Sequence, residues 1–327
     1  MGLFRKSGLP SESTLCRLEK SIDDEKLADA LSGFAHKSSQ NKKSNYLRAI
    51  AIDGKCMRGT IQDDGRAPNI VGAYSVDDQR TVATVLCDKK SNEIKAGPKL
   101  IDKVCNLYDG ESNIVFTADA MQCQSDFIKK IIEHKTHFLV EVKSNQKALR
   151  WGLEDNMKTT NDVGVYSEDA TLSHGRIESR ICKKYRADNL GVDTTKWGKS
   201  LIVISIETFS IQKNTGAQSR ESRIYLTDLD MSPKILNDIA RKHWAIESMH
   251  WTLDTTMGQD RIRRKSIRSA RNLDNIQRLC LSILSIWRSA RRKLSDKAKG
   301  ATELLRKANL RFQFMAELLE LNTKKAI

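Results

Sequence analysis

The chain has 327 residues, 39% hydrophobic and 30% charged, with 17 Gly and 4 Pro, a composition that excludes collagen-like, low-complexity and wholly disordered classes. That length exceeds what one core usually fills, so one large elaborated domain or two to three small ones are expected. The net charge is +15, and residues 261–300 hold 13 Lys/Arg against 2 Asp/Glu, so 13 − 2 = 11 of the excess lies in one segment, which points to a polyanion, nucleic acid first. No run approaches the ~20 apolar residues of a membrane span, and residues 1–6 lack the apolar core of a secretory signal. Seven cysteines, with no CxxC and no Cys/His cluster at zinc spacing, are expected as reduced thiols of the cytosol.

In chain order, Ser11 and Ser13 as caps and Leu15, Leu18, Ile22, Leu27 and Leu31 at helical spacing predict one or two short helices over 11–35, followed by a Lys-rich loop over 36–45. From Tyr46 the period becomes that of strands: 46–53 (YLRAIAID), 69–76 (NIVGAYSV) and 79–87 (QRTVATVLC) predict an antiparallel meander, the last two joined by a tight turn at Asp77 and Asp78. A helix from Pro98 to about Tyr108, a strand over 113–118, a helix over 123–134 and a strand over 136–142 follow. The order β-β-β-α-β-α-β is that of the ribonuclease H fold. The expected class is therefore α/β: a ribonuclease H-like mixed sheet flanked by helices, with a β-rich insertion and helical N- and C-terminal segments. Residues 145–158 predict a helix, strands near 163–172, 176–186, 200–209 and 221–227 predict the insertion at about 160–230, and Pro233 opens a helix to about Thr256. In the basic segment Leu273, Ile276, Leu279, Ile283, Leu284 and Trp287 share one helical face. The expected division is 1–45 helical, 46–260 catalytic with the insertion, and 261–327 basic and helical.

Asp53 ends the first predicted strand and Asp119 directly follows the fourth. In the ribonuclease H topology those strands are neighbours at the sheet centre, so the two carboxylates would face each other at one edge. A third carboxylate from a helix packed there would complete a set of hard oxygen ligands suited to Mg²⁺. Glu247 is the candidate, because His243, Glu247, His250 and Asp254 recur at helical spacing and share a face. The H-x-x-x-E-x-x-H pattern also admits zinc, although it lacks the H-E-x-x-H pairing. Trp244 and Trp251, seven apart, are expected to form the core-facing stripe of this helix rather than platforms for bases. A single strand-end Asp is most often a solvated turn or a cap, so the reading rests on three acids at three expected places. Arg261, Arg263, Arg264, Lys265, Arg268 and Arg271 follow the Glu247 helix closely, where a phosphate backbone would pass, and Lys55 and Arg58 lie just beyond Asp53. A solvated loop fits Lys55 and Arg58 equally well.

Residues 51–60 (AIDGKCMRGT) resemble the opening block of DDE transposases of the ISAs-type insertion sequences, the group that includes the H-repeat-associated proteins. Further blocks resemble that group in order: 117–122 (TADAMQ), 142–146 (VKSNQ), 174–180 (HGRIESR), 223–226 (RIYL) and 243–254 (HWAIESMHWTLD). The resemblance covers about residues 46–280. It implies a ribonuclease H-like core with the triad Asp53, Asp119 and Glu247 as both catalytic and metal-holding residues, and a β-strand insertion before the Glu helix. It also implies two Mg²⁺ ions, with Mn²⁺ as a substitute, and double-stranded DNA as partner, both as element ends and as target. The enzyme would hydrolyse a phosphodiester at an element end and transfer the freed 3′-hydroxyl to target DNA. It would act as a homodimer on DNA, in the bacterial cytosol at the nucleoid, with no membrane partner. Lys143, Arg176, Arg180 and His243 join Lys55, Arg58 and the 261–271 cations as expected DNA contacts. Ser248 replaces the group's Asn after the Glu, and the wider Tyr-Arg-Glu-Lys helix signature stands here as Ala240, His243, Glu247 and Asp254. The first catalytic block lies closer to the chain start than in relatives, which suggests a shortened N-terminal region and a copy that does not transpose. The competing expectations are a ribonuclease H-like nuclease without strand transfer and a non-catalytic DNA-binding remnant.

Overall fold

The computed structural model describes residues 11–37, 47–61, 63, 65–87, 93–173, 175–290 and 300–310. The expected loop over 38–45, the strand start at Tyr46, His174 and the cations of 291–299 lie outside the described residues.

The described strands form one nine-stranded sheet in the order β3-β2-β1-β4-β5-β9-β8-β7-β6. β1 (Arg48–Cys56), β2 (Asn69–Ser75) and β3 (Arg80–Leu86) make the antiparallel meander. β4 (Ile114–Ala118) joins β1 in parallel and β5 (His137–Val142) joins β4 in parallel. This is the ribonuclease H-like mixed sheet. The strands beyond it, β6 (Gly164–Ser173), β7 (Arg176–Arg186), β8 (Ile202–Gln212) and β9 (Gln218–Thr227), continue that sheet, since β9 pairs antiparallel with β5. The expected insertion therefore adds no separate sheet: it shares the ladder of the core.

Both faces are covered, as the near-continuous apolar runs of the central strands require. Ile50, Ile52, Ile114, Phe116 and Phe138 point to one face, under α3 (Glu93–Leu107), α4 (Ser125–Glu133) and α5 (Lys147–Asn156). Ala49, Ala51, Val115 and Leu139 point to the other, under α6 (Pro233–Lys242) and α7 (Trp244–Thr255). The period-2 alternation of strands thus separates odd from even positions of β1, and Asp53 belongs with Ala49 and Ala51. α1 (Glu12–Ser21) and α2 (Asp24–Lys37) pack on α8 (Ile267–Ala290), and α9 (Ala301–Leu310) also touches α8. Ser11 caps α1, its hydroxyl accepting from the Thr14 N–H. No described helix is long and apolar enough to cross a membrane.

Two expectations are corrected. The first crossover helix begins at Glu93 rather than Pro98, so Pro98 lies inside it. Proline cannot donate to the carbonyl one turn back, but a single missing bond near a helix start is tolerated when the apolar face, here Leu100, Ile101 and Val104, is fully buried. The helix opened by Pro233 does not run unbroken to Thr256. It breaks at His243, where the backbone bonds shorten to three residues (His243 N–H to Ala240 O, Ile246 N–H to His243 O), so α6 ends at Lys242 and α7 begins at Trp244.

Candidate active site and nucleic-acid interface

β1 and β4 run parallel with Ile52 opposite Ala118, so Asp53 and Asp119 emerge side by side one residue further on. β1 itself continues past Asp53 to Cys56, paired only with β2, which corrects the expectation that Asp53 ends its strand. α7 packs its Ile246, Met249 and Leu253 against Ala51 and Tyr74, and that seating brings Glu247 over the same end of the sheet. Burial and the neighbouring Asp53 charge raise the carboxyls of both Asp119 and Glu247 above the usual carboxylate range. These are like charges held together. Among the described residues, however, no three His, Cys, Asp or Glu side chains are drawn tightly enough together to enclose an ion on their own.

The surroundings set each acid's orientation. The Asp53 Oδ1 accepts its neighbour's Gly54 N–H at 2.8 Å, and Oδ2 faces His250 Nδ1 at 3.3 Å. The other ring nitrogen of His250 meets the Arg278 guanidinium at 3.4 Å. Arginine only donates, so His250 Nε2 accepts, the ring proton sits on Nδ1, and Asp53 receives it. Burial keeps this imidazole below its ordinary pKa, consistent with a neutral ring that donates on one side and accepts on the other. Asp119 opens a short turn and accepts the Met121 N–H at 3.0 Å. His243 bonds Thr117 Oγ1 through Nδ1 at 3.0 Å, and burial takes it down to about 4. It is a neutral ring turned to β4 and offers no charge to a phosphate.

The expected DNA contacts divide. Lys55 is buried and paired with Asp254 and, at 3.5 Å, Asp260, so it ties β1 to the end of α7 and its charge is offset by the protein's own acids. Arg264 is held by Glu19 at 2.7 Å, and Arg271, with its side chain 2% exposed, is held by Asp24 and Glu25 at 2.9 and 2.7 Å. In both, the guanidinium charge is offset by the protein's own carboxylates, and the Arg271 side chain is buried away from the surface where a phosphate would pass. Arg268 lies 3.5 Å from Asp24 but stays exposed, Arg261 reaches the Thr255 carbonyl, and Lys143 pairs with buried Glu141 at 3.0 Å. Arg58, Arg263 and Lys265 stand exposed. Arg176 and Arg180 line a cleft of about 560 Å³ together with Arg223, Arg241, Trp244 and Ser248. The Arg223 guanidinium lies 4.8 Å from the centre of the Trp244 ring. Trp244 and Trp251, expected in the core, are 41% and 62% exposed. The helix break at His243 turns them outward while Ile246, Met249 and Leu253 take the core face.

Sequence reasoning passed over Glu93. It begins α3, carries no side-chain hydrogen bond or ion pair to any described residue, and is raised by burial and by Asp53 and Asp119. The one signal available was the glycine after Asp53.

Residues 47–283 match the family model described as the transposase DDE domain, so the chain belongs to that family and is a nucleic-acid-processing enzyme by class. Within the family its place is the H-repeat group: it is 27% identical to the H-repeat-associated candidate transposase YhhI of Escherichia coli K12, over 96% of this chain and 82% of that one. It is 29% identical to YncI of Escherichia coli O157:H7, also named as a candidate transposase, over 85% of this chain and 71% of that one. A solved piggyBac transposase synaptic complex with hairpin DNA aligns at 10% identity and a TM-score of 0.46, over 83% of this chain and 51% of that one.

Proposed function

We propose that the protein is a divalent-metal-dependent transposase that cuts DNA at the ends of an insertion sequence and joins the freed 3′-hydroxyl to target DNA. The observation that carries this reading is the placement of Asp53 and Asp119 at adjacent parallel strands with Glu247 delivered over them by α7, in a chain of the DDE family. The unit spanning about 46–260 would do the chemistry, framed by the 1–45 and 261–327 segments.

The donor set fits Mg²⁺. It consists of hard carboxylate oxygens that repel one another and that include Glu247, whose side chain pairs with no described residue. Asp53, Asp119 and Glu247 would hold the ions, which when bound supply a lowered water pKa and a stabilised leaving oxygen. The chain's own residues do the positioning. His250 fixes the Asp53 carboxylate through a neutral ring, the Asp119 turn fixes its partner, and the Lys55 pairs to Asp254 and Asp260 lock the end of α7 onto β1. A water oxygen attacks phosphorus as the P–O3′ bond breaks and the departing 3′-oxygen takes a proton. That 3′-hydroxyl then attacks a target phosphorus, with the target's own 3′-oxygen leaving. The cleft of Arg176, Arg180, Arg223 and Trp244 borders the site through Trp244 and Ser248 on α7, and its guanidinium and ring suit a phosphate backbone with exposed bases. A homodimer on DNA belongs to the same proposal.

The test uses a supercoiled plasmid carrying the gene with its flanking DNA. Asp53→Asn, Asp119→Asn and Glu247→Gln are each expected to abolish Mg²⁺-dependent cleavage while DNA binding stays within a few fold, because a ligand charge is lost and no negative charge is added near phosphate. A variant that cuts at the parental rate would remove that residue from the site. Cleavage by the parent without any joined product would favour a nuclease over a transposase.

A further inference from the structure

A carboxylate outside the triad approaches the same strand end from the opposite face of the sheet. A Cβ built on Gly54 would stand 2.2 to 2.4 Å from the carboxylate atoms of Glu93, so that carboxylate fills the space a side chain at 54 would need. By strand alternation Gly54 belongs with Ile50 and Ile52 on the α3 face, whereas Asp53 belongs with Ala49 and Ala51 on the α7 face. Glu93 therefore lies across the edge of the sheet from Glu247, with Asp53 and Asp119 between them.

Its position is set by the turn that carries Asp119. Gln122, at the end of that turn, donates through Nε2 to the Glu93 carbonyl at 2.9 Å, and Gly97 lets the same Gln122 side chain press against α3, where any Cβ would meet Oε1 at 2.4 Å. One turn thus orients Asp119 and anchors the start of α3. The Glu93 carboxylate has no hydrogen-bond or ion-pair partner among the described residues, and the charges beside it, Asp53 and Asp119, have its own sign. Two buried acids away from this edge differ: Glu19 has Arg264, and Glu141 has Lys143 and Arg223. Three like carboxyls gathered at one edge are relieved by a proton or by a bound cation, and a cation relieves all of them at once.

We propose that Glu93 is a fourth carboxylate of the metal site, closing it from the α3 face while Glu247 closes it from the α7 face. This deepens the active-site reading above and rests on it. Gly54 is then required by function as well as by packing, because only glycine leaves room for the carboxylate over the strand.

Mn²⁺ binding to the full-length protein, followed by calorimetry, is the direct test, with the Mg²⁺ midpoint of plasmid cleavage beside it. Glu93→Gln is expected to weaken Mn²⁺ binding by about 10-fold or more and to move the Mg²⁺ midpoint in the same direction. Without metal the same variant should melt at a higher temperature than the parent, since it removes like-charge repulsion. An acid serving only the start of α3 would instead give a lower melting temperature and an unchanged isotherm. Gly54→Ala, which displaces the carboxylate without deleting it, should reproduce the weaker binding and should add nothing in a Glu93→Ala background. It decides the matter should Glu93→Gln fail to fold. An isotherm and a Mg²⁺ midpoint identical to the parent's in Glu93→Gln, or in Gly54→Ala, would overturn the proposal. If Asp53→Asn abolishes binding while Glu93→Gln leaves it unchanged, only this inference falls. If Asp53→Asn also binds Mn²⁺ as the parent does, the active-site reading falls with it.

Discussion

Asp53 and His243 show how single residues at this site depend on neighbours far away in sequence. The 51–60 block marked Asp53, but its orientation comes from His250 and, behind that ring, from Arg278 on α8. His243 shared the predicted helix face with Glu247, yet its ring turns to Thr117 on β4. Burial takes that ring to about 4, against about 6.5 in an unfolded chain. Between those values the unfolded state binds a proton that the folded state refuses, so this group's contribution to stability is present above pH 6.5 and is lost as pH falls toward 4. His243→Asn should therefore show a flatter dependence of the urea midpoint on pH than the parent across that window. Comparing parent with variant cancels the opposite trend from Asp119, Glu247 and Glu93, whose raised carboxyls lose stability as pH rises. A parallel pH profile in the two proteins would mean the ring is not buried neutral.

At the level of elements, α8 differs most from its sequence reading. Its apolar positions Leu284 and Trp287 pack with Leu304 of α9, as one helical face predicts. The N-terminal half of α8 instead buries polar groups. Ser269 donates to Glu19, Asn272 to the Glu19 and Ile22 carbonyls, and Arg271 to Asp24 and Glu25. The Arg271 hydrogen bond chiefly holds the Glu25 carboxyl down to about 2. Charge-assisted bonds of this kind contribute more than neutral ones, so Arg271→Met should cost about 2–3 kcal/mol, read from the denaturant midpoint. Its DNA affinity at fixed salt should match the parent's. A stable variant with weakened DNA binding would return Arg271 to the interface.

Across the whole molecule, the +11 of residues 261–300 overstates the charge available to DNA. Glu19, Asp24 and Glu25 of the N-terminal helices, all outside that segment, pair with Arg264 and Arg271. Arg58, Arg263 and Lys265 stand exposed on the described surface, Arg58 with its Nε 4.0 Å from Asp260, and the cleft adds Arg176 beside Arg180 and Arg223, which are paired with Glu178 and with Glu141 and Glu221. Each phosphate contact contributes about 0.9 to the slope of log affinity on log salt. Changing Arg58, Arg263 and Lys265 together to Gln should flatten that slope by up to about 3, whereas Arg264→Gln should leave it in place. Binding measured from about 50 to 200 mM salt checks both. An unchanged slope in the triple variant would remove Arg58, Arg263 and Lys265 from the DNA path.

The sequence by itself determined the element order, the two strand acids, the helix acid and the family blocks, because strand and helix periods and short motifs are local and leave a trace at every few residues. Tertiary structure alone decided which cations are free, which way Trp244 and Trp251 face, and that Glu93 stands over Gly54. Those outcomes depend on groups brought together from distant positions, Arg271 with Glu25 across 246 residues and Lys55 with Asp254 across 199. A charge that reads as exposed in a linear pattern is neutralised whenever the fold places an opposite charge against it, and no local period records that meeting.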